Sequence, residues 1–544
     1  MARALPLLLL VAVLALGWNL GGYRLLDPDE GRNAEVAREM ARSNDYLIPH
    51  LDGLPYLDKP IVYFAAAAAV MEVLGPTETA ARLPAYLATL ATLALLVTFA
   101  RRRWGPDAGW LAGLAFATMP FTLAYAHTAI FDSALTLCTT AAIIWFFEER
   151  VTLAWAALAV GGLTKGPVAL AVPLVVVVPF ALATGAPLRR LVSARGLAVF
   201  AVLTLPWLFA VTSRFPEFPR YVFVMETLQR FATLSFHRTA PWWFYLAIVP
   251  LATFPWLVPA CARLARREPA VGESSWLALW VLAPLALFTL NHSKLPQYVL
   301  PLMPPLALAA ARHLAQDGPR VAWRAYAVLA AALGVAFILL MGRLLGPIPL
   351  TAAEQRAIPP AAVALGIALF ISGLCVTLAA RRNTPTLGAL GYTLVVISLP
   401  FTTARLMRAV GDDRSSASLA TAIRPLVQSE AGPGATVLGV AAYPPSLPFY
   451  LGTTIAVATG DAHELTSNYI VAFQSRYRRR PDSPLKPAEY WRDVLAECRA
   501  PTVFVVHSDD GATRGALEAL PLIDDDGRYA AYGPCRPNAL AVRR

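Results

Sequence analysis

Long apolar runs recur along most of the chain, separated by short polar breaks. A helix needs about 20 apolar residues to cross ~30 Å of hydrocarbon, and the pattern predicts about thirteen such spans. They fall at residues 4–22, 82–100, 107–126, 131–147, 151–164, 167–186, 197–213, 242–261, 275–291, 296–313, 324–343, 359–380 and 385–403. An odd count with a cytoplasmic N-terminus puts the C-terminus outside. The first run follows Met1-Ala2-Arg3 without a small-residue cleavage site, so it is expected to stay as an anchor. Residues 60–75 are also apolar, but this segment of about 16 residues is short for a span. Counting it would invert everything downstream and move Arg101 to Arg103 and Arg189-Arg190 to the outer side. It is therefore read as a helix in the outer interface, which makes residues 23–81 one long external loop. In that loop residues 30–43 form an amphipathic pattern. Arg32, Glu35, Glu39 and Arg42 lie on one side, and Ala34, Ala37, Met40 and Ala41 on another. Such a helix is expected to lie along the membrane surface.

After about residue 404 the pattern changes. Short β-branched runs at 436–440, 454–457 and 502–506 alternate with helical stretches such as 490–498 and 513–520, the signature of a small α/β domain. The organisation expected is a transmembrane domain over 1–403 and an external, periplasmic domain over 404–544. The latter has no Gly-rich phosphate loop, no dinucleotide fingerprint and no His/Cys metal spacing. Cys138, Cys261 and Cys375 fall in spans, while Cys498 and Cys535 share the external domain, either as a disulfide or as two thiols.

Composition supports this class: 57% of residues are hydrophobic, 15% are charged and the mean hydropathy is +0.54. The net charge of +11 does not point to nucleic acid. The Lys and Arg occur as small clusters between apolar runs (Arg101 to Arg103, Arg189-Arg190, Arg263 with Arg266 and Arg267, Arg381-Arg382), which is the positive-inside pattern.

The chemistry gathers on the predicted outer face. Leu26-Asp27-Pro28-Asp29-Glu30-Gly31-Arg32 fixes three carboxylates where the chain leaves the first span, and ionisable groups at membrane depth are rare and usually functional. The plainer alternative is that Asp27 and Asp29 cap the helix that follows. Further along stand Tyr56, Asp58 and Lys59, although Lys59 is also placed as an interfacial lysine would be. Asp132 opens the fourth span, and Lys165, Glu226, Arg230, His237, Arg238, Lys294 and Tyr298 lie on other outer loops. Carboxylates beside several cations describe a site that holds a phosphate and removes a proton.

Four stretches carry a family resemblance: Pro28-Asp29-Glu30-Gly31-Arg32-Asn33-Ala34-Glu35, Leu54-Pro55-Tyr56-Leu57-Asp58-Lys59-Pro60, Leu163-Thr164-Lys165-Gly166-Pro167 and Ser293-Lys294-Leu295-Pro296. In this order they resemble the aminoarabinose transferases that modify lipid A, within the protein O-mannosyltransferase-like type C glycosyltransferases. The resemblance implies a polytopic α-helical membrane enzyme of the bacterial inner membrane. Such an enzyme takes a sugar from a polyprenyl-phosphate carrier and passes it to an envelope acceptor on the periplasmic side. It implies Asp29 and Asp132 as the catalytic carboxylates and Arg32, Tyr56, Lys59 and Tyr298 as carrier-phosphate groups. Glu30, Lys165, Glu226, Arg230, His237, Arg238 and Lys294 would then line the substrate cavity. The family usually carries Thr and Tyr where this chain has Gly31 and Asn33, so the particular sugar and acceptor stay open.

On this reading Asp29 accepts the proton of the acceptor nucleophile, or orients it, while Arg32 and Lys59 stabilise the departing lipid phosphate. No cofactor is required, although Asp58 and His237 could form part of a divalent-metal site. The expected partners are the polyprenyl-phosphate sugar, a lipid or glycan acceptor and membrane lipids, with no nucleic acid. Other readings are a protein O-glycosyltransferase, a membrane-anchored binding protein and a secondary transporter. The transporter predicts inverted repeats and mid-membrane charges, and neither pattern is evident.

Overall fold

Proline and charge decide how the apolar runs become helices. The computed structural model describes residues 4–229, 240–266, 271–317, 320–344, 350–382, 384–428 and 434–535, and it divides the chain into two units. One comprises residues 1–20 and 82–407, the other residues 21–81 and 408–544. The first external loop, assigned from sequence to the transmembrane domain, is thus grouped with the C-terminal segment.

In the first unit every predicted span overlaps a helix, but many of these helices are short or broken. Four described helices are long and apolar enough to cross a membrane: Glu78–Trp104, Ala194–Arg214, Glu273–Leu290 and Ala352–Arg382. Three bent pairs would bring the number to seven. The predicted span 242–261 is two helices, Phe244–Thr253 and Leu257–Leu264, meeting at 112°. Pro255 explains the break, since a residue before proline is driven out of the helical region and Phe254 sits at φ −52°, ψ 134°. The span 107–126 breaks by 63° for the same reason, with Met119 extended ahead of Pro120. The span 296–313 starts as a 3-10 turn, Pro296–Leu302, before the helix Met303–Arg312.

Ion pairs join two of the basic clusters, Arg101 to Arg103 and Arg189-Arg190, at one end of this unit. Arg102 pairs with Glu148 at 2.9 Å, Arg190 with Glu149 at 3.6 Å, and Arg312 with Glu273 at 3.2 Å. Arg103 also meets Glu273, and Trp104 donates to it. Beneath them Phe147 stacks on Trp276 with centroids 4.2 Å apart. The helix Asp132–Phe147 leads from this end to Asp132, about 24 Å away at 1.5 Å per residue.

In the second unit the helix Asp29–Ser43 buries most of its polar side within the protein. Glu30, Arg32, Asn33, Glu35 and Arg38 are all buried, as are Ala34, Ala37 and Met40. Its polar side is neutralised instead of solvated. Arg38 grips Glu35 through two hydrogen bonds of 2.7 Å, and Arg38 and Arg42 both donate to the Gly452 carbonyl. A hairpin follows, β1 (His50–Leu51) with β2 (Leu54–Pro55). The helix Val62–Leu74 comes next; its 13 residues reach about 20 Å, less than a bilayer core. The loop's two ends are tied together, because Arg24 pairs with Glu78, to which Tyr450 also donates, while the Leu25 N–H donates to the Tyr450 hydroxyl.

The rest of this unit is built on a mixed sheet of six strands in the order β5-β4-β3-β6-β8-β7. These are β3 (Thr436–Val440), β4 (Ala456–Ala458), β5 (Leu485–Lys486), β6 (Thr502–His507), β7 (Leu522–Asp525) and β8 (Tyr529–Cys535). β3 runs parallel to β4 and β6, and β8 runs antiparallel to β6 and β7. Leu438, Val440, Phe504, Val506 and Trp491 form its core. Cys498 and Cys535 are joined by a disulfide with Cα atoms 5.9 Å apart.

Candidate active site

The first-loop cluster is organised by which of its carboxylates are buried. Glu30 is 1% exposed and reaches back to accept the Leu26 N–H at 3.0 Å. It completes the turn that opens the helix, in the manner of a capping-box glutamate. Asp29, one residue earlier, keeps 37% of its side chain exposed and accepts from Arg32 at 2.5 Å. Asp27 does not cap the helix, which has no side-chain cap hydrogen bond. Its side chain is 3% exposed and faces Ser446, Ser416 and Arg528. Burial pushes the Asp27 carboxyl up to about 7, against the lowering effects of Ser446, Arg528 and Ser416.

Arg32 is the hub of this cluster. It donates to the Thr466 hydroxyl and carbonyl at 2.7 and 3.1 Å, and its guanidinium lies 6.0 Å from the centre of the Tyr56 ring. Burial disfavours the cation, but Tyr56, Asp29 and Asp58 more than offset this, and its pKa is raised. Arg32 Nε is buried without a hydrogen-bond partner among the described residues, so the group keeps one donor that an anion can take. Tyr56 is 2% exposed and packs edge-on against Phe64. Asp58 accepts from the Ser467 hydroxyl and from the Tyr469 N–H at 3.1 Å, and Lys59 donates to the Asp58 carbonyl at 2.8 Å. Among the described residues no group of three or more His, Cys, Asp or Glu is placed to hold a metal ion.

In the other unit Asp132 begins the helix Asp132–Phe147, and Lys165 ends the helix Val151–Lys165. Lys165 Nζ donates to Asp132 Oδ1 at 2.5 Å, and it also lies 5.1 Å from the centre of the Tyr298 ring. Asp132, Lys165 and Tyr298 therefore form one cluster. Lys294 donates to the Asn291 carbonyl at 2.8 Å, and Tyr221 donates to Glu226 at 3.3 Å. Arg230, His237 and Arg238 lie outside the described residues.

Sequence reasoning missed a second polar cluster on the first-loop helix. Glu39 accepts from the Gly53 N–H at 2.9 Å and from the Asp52 N–H, and Asp52 in turn accepts the Ile455 N–H at 2.7 Å. Burial pushes Glu39 up to about 8, with Glu35 adding to the effect, and raises Asp52 well above the carboxylate range. The available signal was the number of charges on a 15-residue helix, too many for one solvated face.

Residues 58–211 match the family described as dolichyl-phosphate-mannose-protein mannosyltransferase. The undecaprenyl phosphate-alpha-4-amino-4-deoxy-L-arabinose arabinosyl transferase of Aeromonas salmonicida is 34% identical over 346 residues, which cover 60% of this chain and 62% of that protein. Its namesake from Yersinia enterocolitica is 32% identical, over 56% of this chain and 58% of its own length. The matched region thus spans about three fifths of these relatives. A crystal structure of ArnT from Cupriavidus metallidurans bound to undecaprenyl phosphate superposes with a TM-score of 0.85 at 26% identity, covering 97% of this chain and 98% of that one. The apo form superposes at 0.81. The resemblance expected from the four motifs is found: the chain is similar to the aminoarabinose transferases and has their membrane-embedded type C glycosyltransferase fold over nearly its whole length.

Proposed function

We propose that this chain transfers a sugar, aminoarabinose in the reading its relatives favour, from undecaprenyl phosphate to lipid A at the periplasmic face of the inner membrane. The observation that carries this is Asp29, a partly exposed carboxylate held by buried Arg32 in a chain with the fold of an undecaprenyl-phosphate-binding transferase. In the reaction an oxygen of the acceptor bonds to the anomeric carbon. The bond from that carbon to the carrier's phosphate oxygen breaks, and its electron pair leaves with the phosphate. Asp29 takes the proton of an attacking hydroxyl or orients the nucleophile. Arg32, Lys59 and Tyr56 hold the phosphate and stabilise its growing charge. Asp132, held by Lys165 beside Tyr298, is the second catalytic carboxylate on this reading, and no metal is required because the leaving group is already an anion held by cations.

The membrane part crosses about thirteen times, with the N-terminus cytoplasmic and residues 21–81 and 408–544 periplasmic. The pairing of Arg102, Arg103 and Arg190 with glutamates at one end of the first unit supports this orientation. A second reading, transfer to a protein hydroxyl, is favoured by the match of residues 58–211 to the protein mannosyltransferases. Purified protein incubated with radiolabelled undecaprenyl-phosphate aminoarabinose and either lipid A or a periplasmic protein extract separates the two. Label in lipid A is the expected result, label in protein supports the second reading, and no donor consumption overturns both.

A further inference from the structure

Asp27 stands two residues before Asp29 and takes no part in the chemistry above, yet three separate segments converge on it. Its N–H donates to the Arg414 carbonyl at 2.9 Å. Its Oδ2 accepts from Ser446 at 2.8 Å and Ser416 at 3.3 Å, and lies 3.6 Å from an Arg528 nitrogen. Ser446 also accepts the Ser416 N–H at 2.9 Å, so the two hydroxyls are themselves fixed. The other oxygen, Oδ1, is buried without a hydrogen-bond partner among the described residues. It lies against Gly31, where a Cβ would come within 2.2 Å of Oδ1 and 2.7 Å of Ser446.

A carboxylate buried in this way costs free energy that an apolar residue of the same size would not. What it supplies is direction. The peptides of Leu25, Leu26 and Asp27 are each held by a different acceptor, Tyr450, Glu30 and Arg414, and the next turn carries Asp29 and Arg32. With no Cβ at Gly31, the carboxylate packs directly against the first turn of the helix.

We propose that Asp27 is a positioning residue, which fixes the start of the helix Asp29–Ser43 through Ser416, Ser446 and Arg528 and so sets where the Asp29–Arg32 pair stands. The kinetic consequence rests on the reading of Asp29 given above. Displacing a catalytic group by about 1 Å can cost on the order of 100-fold in rate.

The test uses the full-length protein in detergent with two readouts. Amide exchange reads positioning without turnover. Asp27→Ala should speed exchange of residues 26–32 by about 10–100-fold while the six-stranded sheet keeps its protection. In the transfer assay Asp27→Ala should lower kcat by about 10–100-fold, with a rise in donor KM because Arg32 moves with Asp29. Asp27→Asn, which keeps the serine contacts, should recover most of that loss. Arg528→Gln should add little on top of Asp27→Asn, because both act through one contact. If Asp27→Ala does not fold, Ser446→Ala combined with Arg528→Gln carries the same two measurements. Unchanged exchange at residues 26–32 overturns the proposal even if the wild type turns over no donor. Wild-type kcat despite faster exchange overturns the link to Asp29, and a wild type that consumes no donor instead overturns the function.

Discussion

Lys165 Nζ lies 2.5 Å from Asp132 Oδ1, joining the last residue of one helix to the first of another, with side chains 12% and 4% exposed. Removing one partner of a buried ion pair leaves an uncompensated charge and costs about 3–5 kcal/mol. Lys165→Ala should therefore lower the thermal stability of the detergent-solubilised protein markedly. Asp132→Asn with Lys165→Met should restore most of that stability but not turnover, because stability needs only charge balance whereas the site needs the charges themselves. A double variant that transfers sugar at the wild-type rate would reduce the pair to a structural role.

The orientation is checked by thiol labelling in a background lacking Cys138, Cys261 and Cys375. Cysteines placed at Arg102 and Arg189 should be shielded from an impermeant reagent in intact cells, and one at Asp510 should react. Labelling at position 102 would show that residues 60–75 cross the membrane and would invert everything after them.

The buried carboxylates of the first-loop helix predict a pH dependence with a definite sign. Glu39 is raised from its ordinary 4.5 to about 8, chiefly by burial, so the folded state holds a proton that the unfolded chain releases. Stability linked to Glu39 is then fully present below about pH 4.5 and falls until pH passes about 8. Each tenfold difference in proton affinity between the folded and unfolded states corresponds to about 1.4 kcal/mol. Glu39→Gln should flatten the decline of the thermal midpoint between pH 5 and pH 8, and should leave the variant at least as stable as wild type at the upper end. A midpoint that falls equally in both proteins would assign the proton elsewhere.

Reduction of the Cys498–Cys535 bridge, which spans 37 residues, should destabilise the unit containing the six-stranded sheet by roughly 3–4 kcal/mol on the chain-entropy account. Alkylation of the denatured protein with and without reductant checks the bridge itself: three thiols should react without reductant and five with it. Five reactive thiols in the denatured, unreduced protein would show that the bridge is absent.

Hydropathy carried much of this architecture. Every predicted span overlaps a helix, and the 436–440 and 502–506 runs lie within the strands Thr436–Val440 and Thr502–His507. Periodicity could not show where helices break. The 112° turn depends on one residue, Pro255, inside an otherwise continuous apolar run. The first-loop helix shows a related limit of pattern: an amphipathic sequence marks a polar face but not what meets it. Here much of that face meets the Gly452 and Thr466 carbonyls and its own ion pairs. The first-loop motif named Asp29, Arg32, Tyr56 and Lys59 as candidates. The pairing of Asp132 with Lys165, 33 residues away, and the burial that divides Asp29 from Asp27 and Glu30 arise only when the chain is folded.

If Asp29 is the proton acceptor in transfer from a lipid-phosphate sugar, removing its basicity alone should stop the reaction. Wild type and Asp29→Asn are given the same radiolabelled undecaprenyl-phosphate sugar and lipid A, and carrier binding is measured alongside. The substitution keeps the shape and removes the proton acceptor. The expected outcome is at least about a 100-fold loss of transfer with carrier affinity within about threefold of wild type. Transfer by Asp29→Asn at the wild-type rate would remove Asp29 from the reaction.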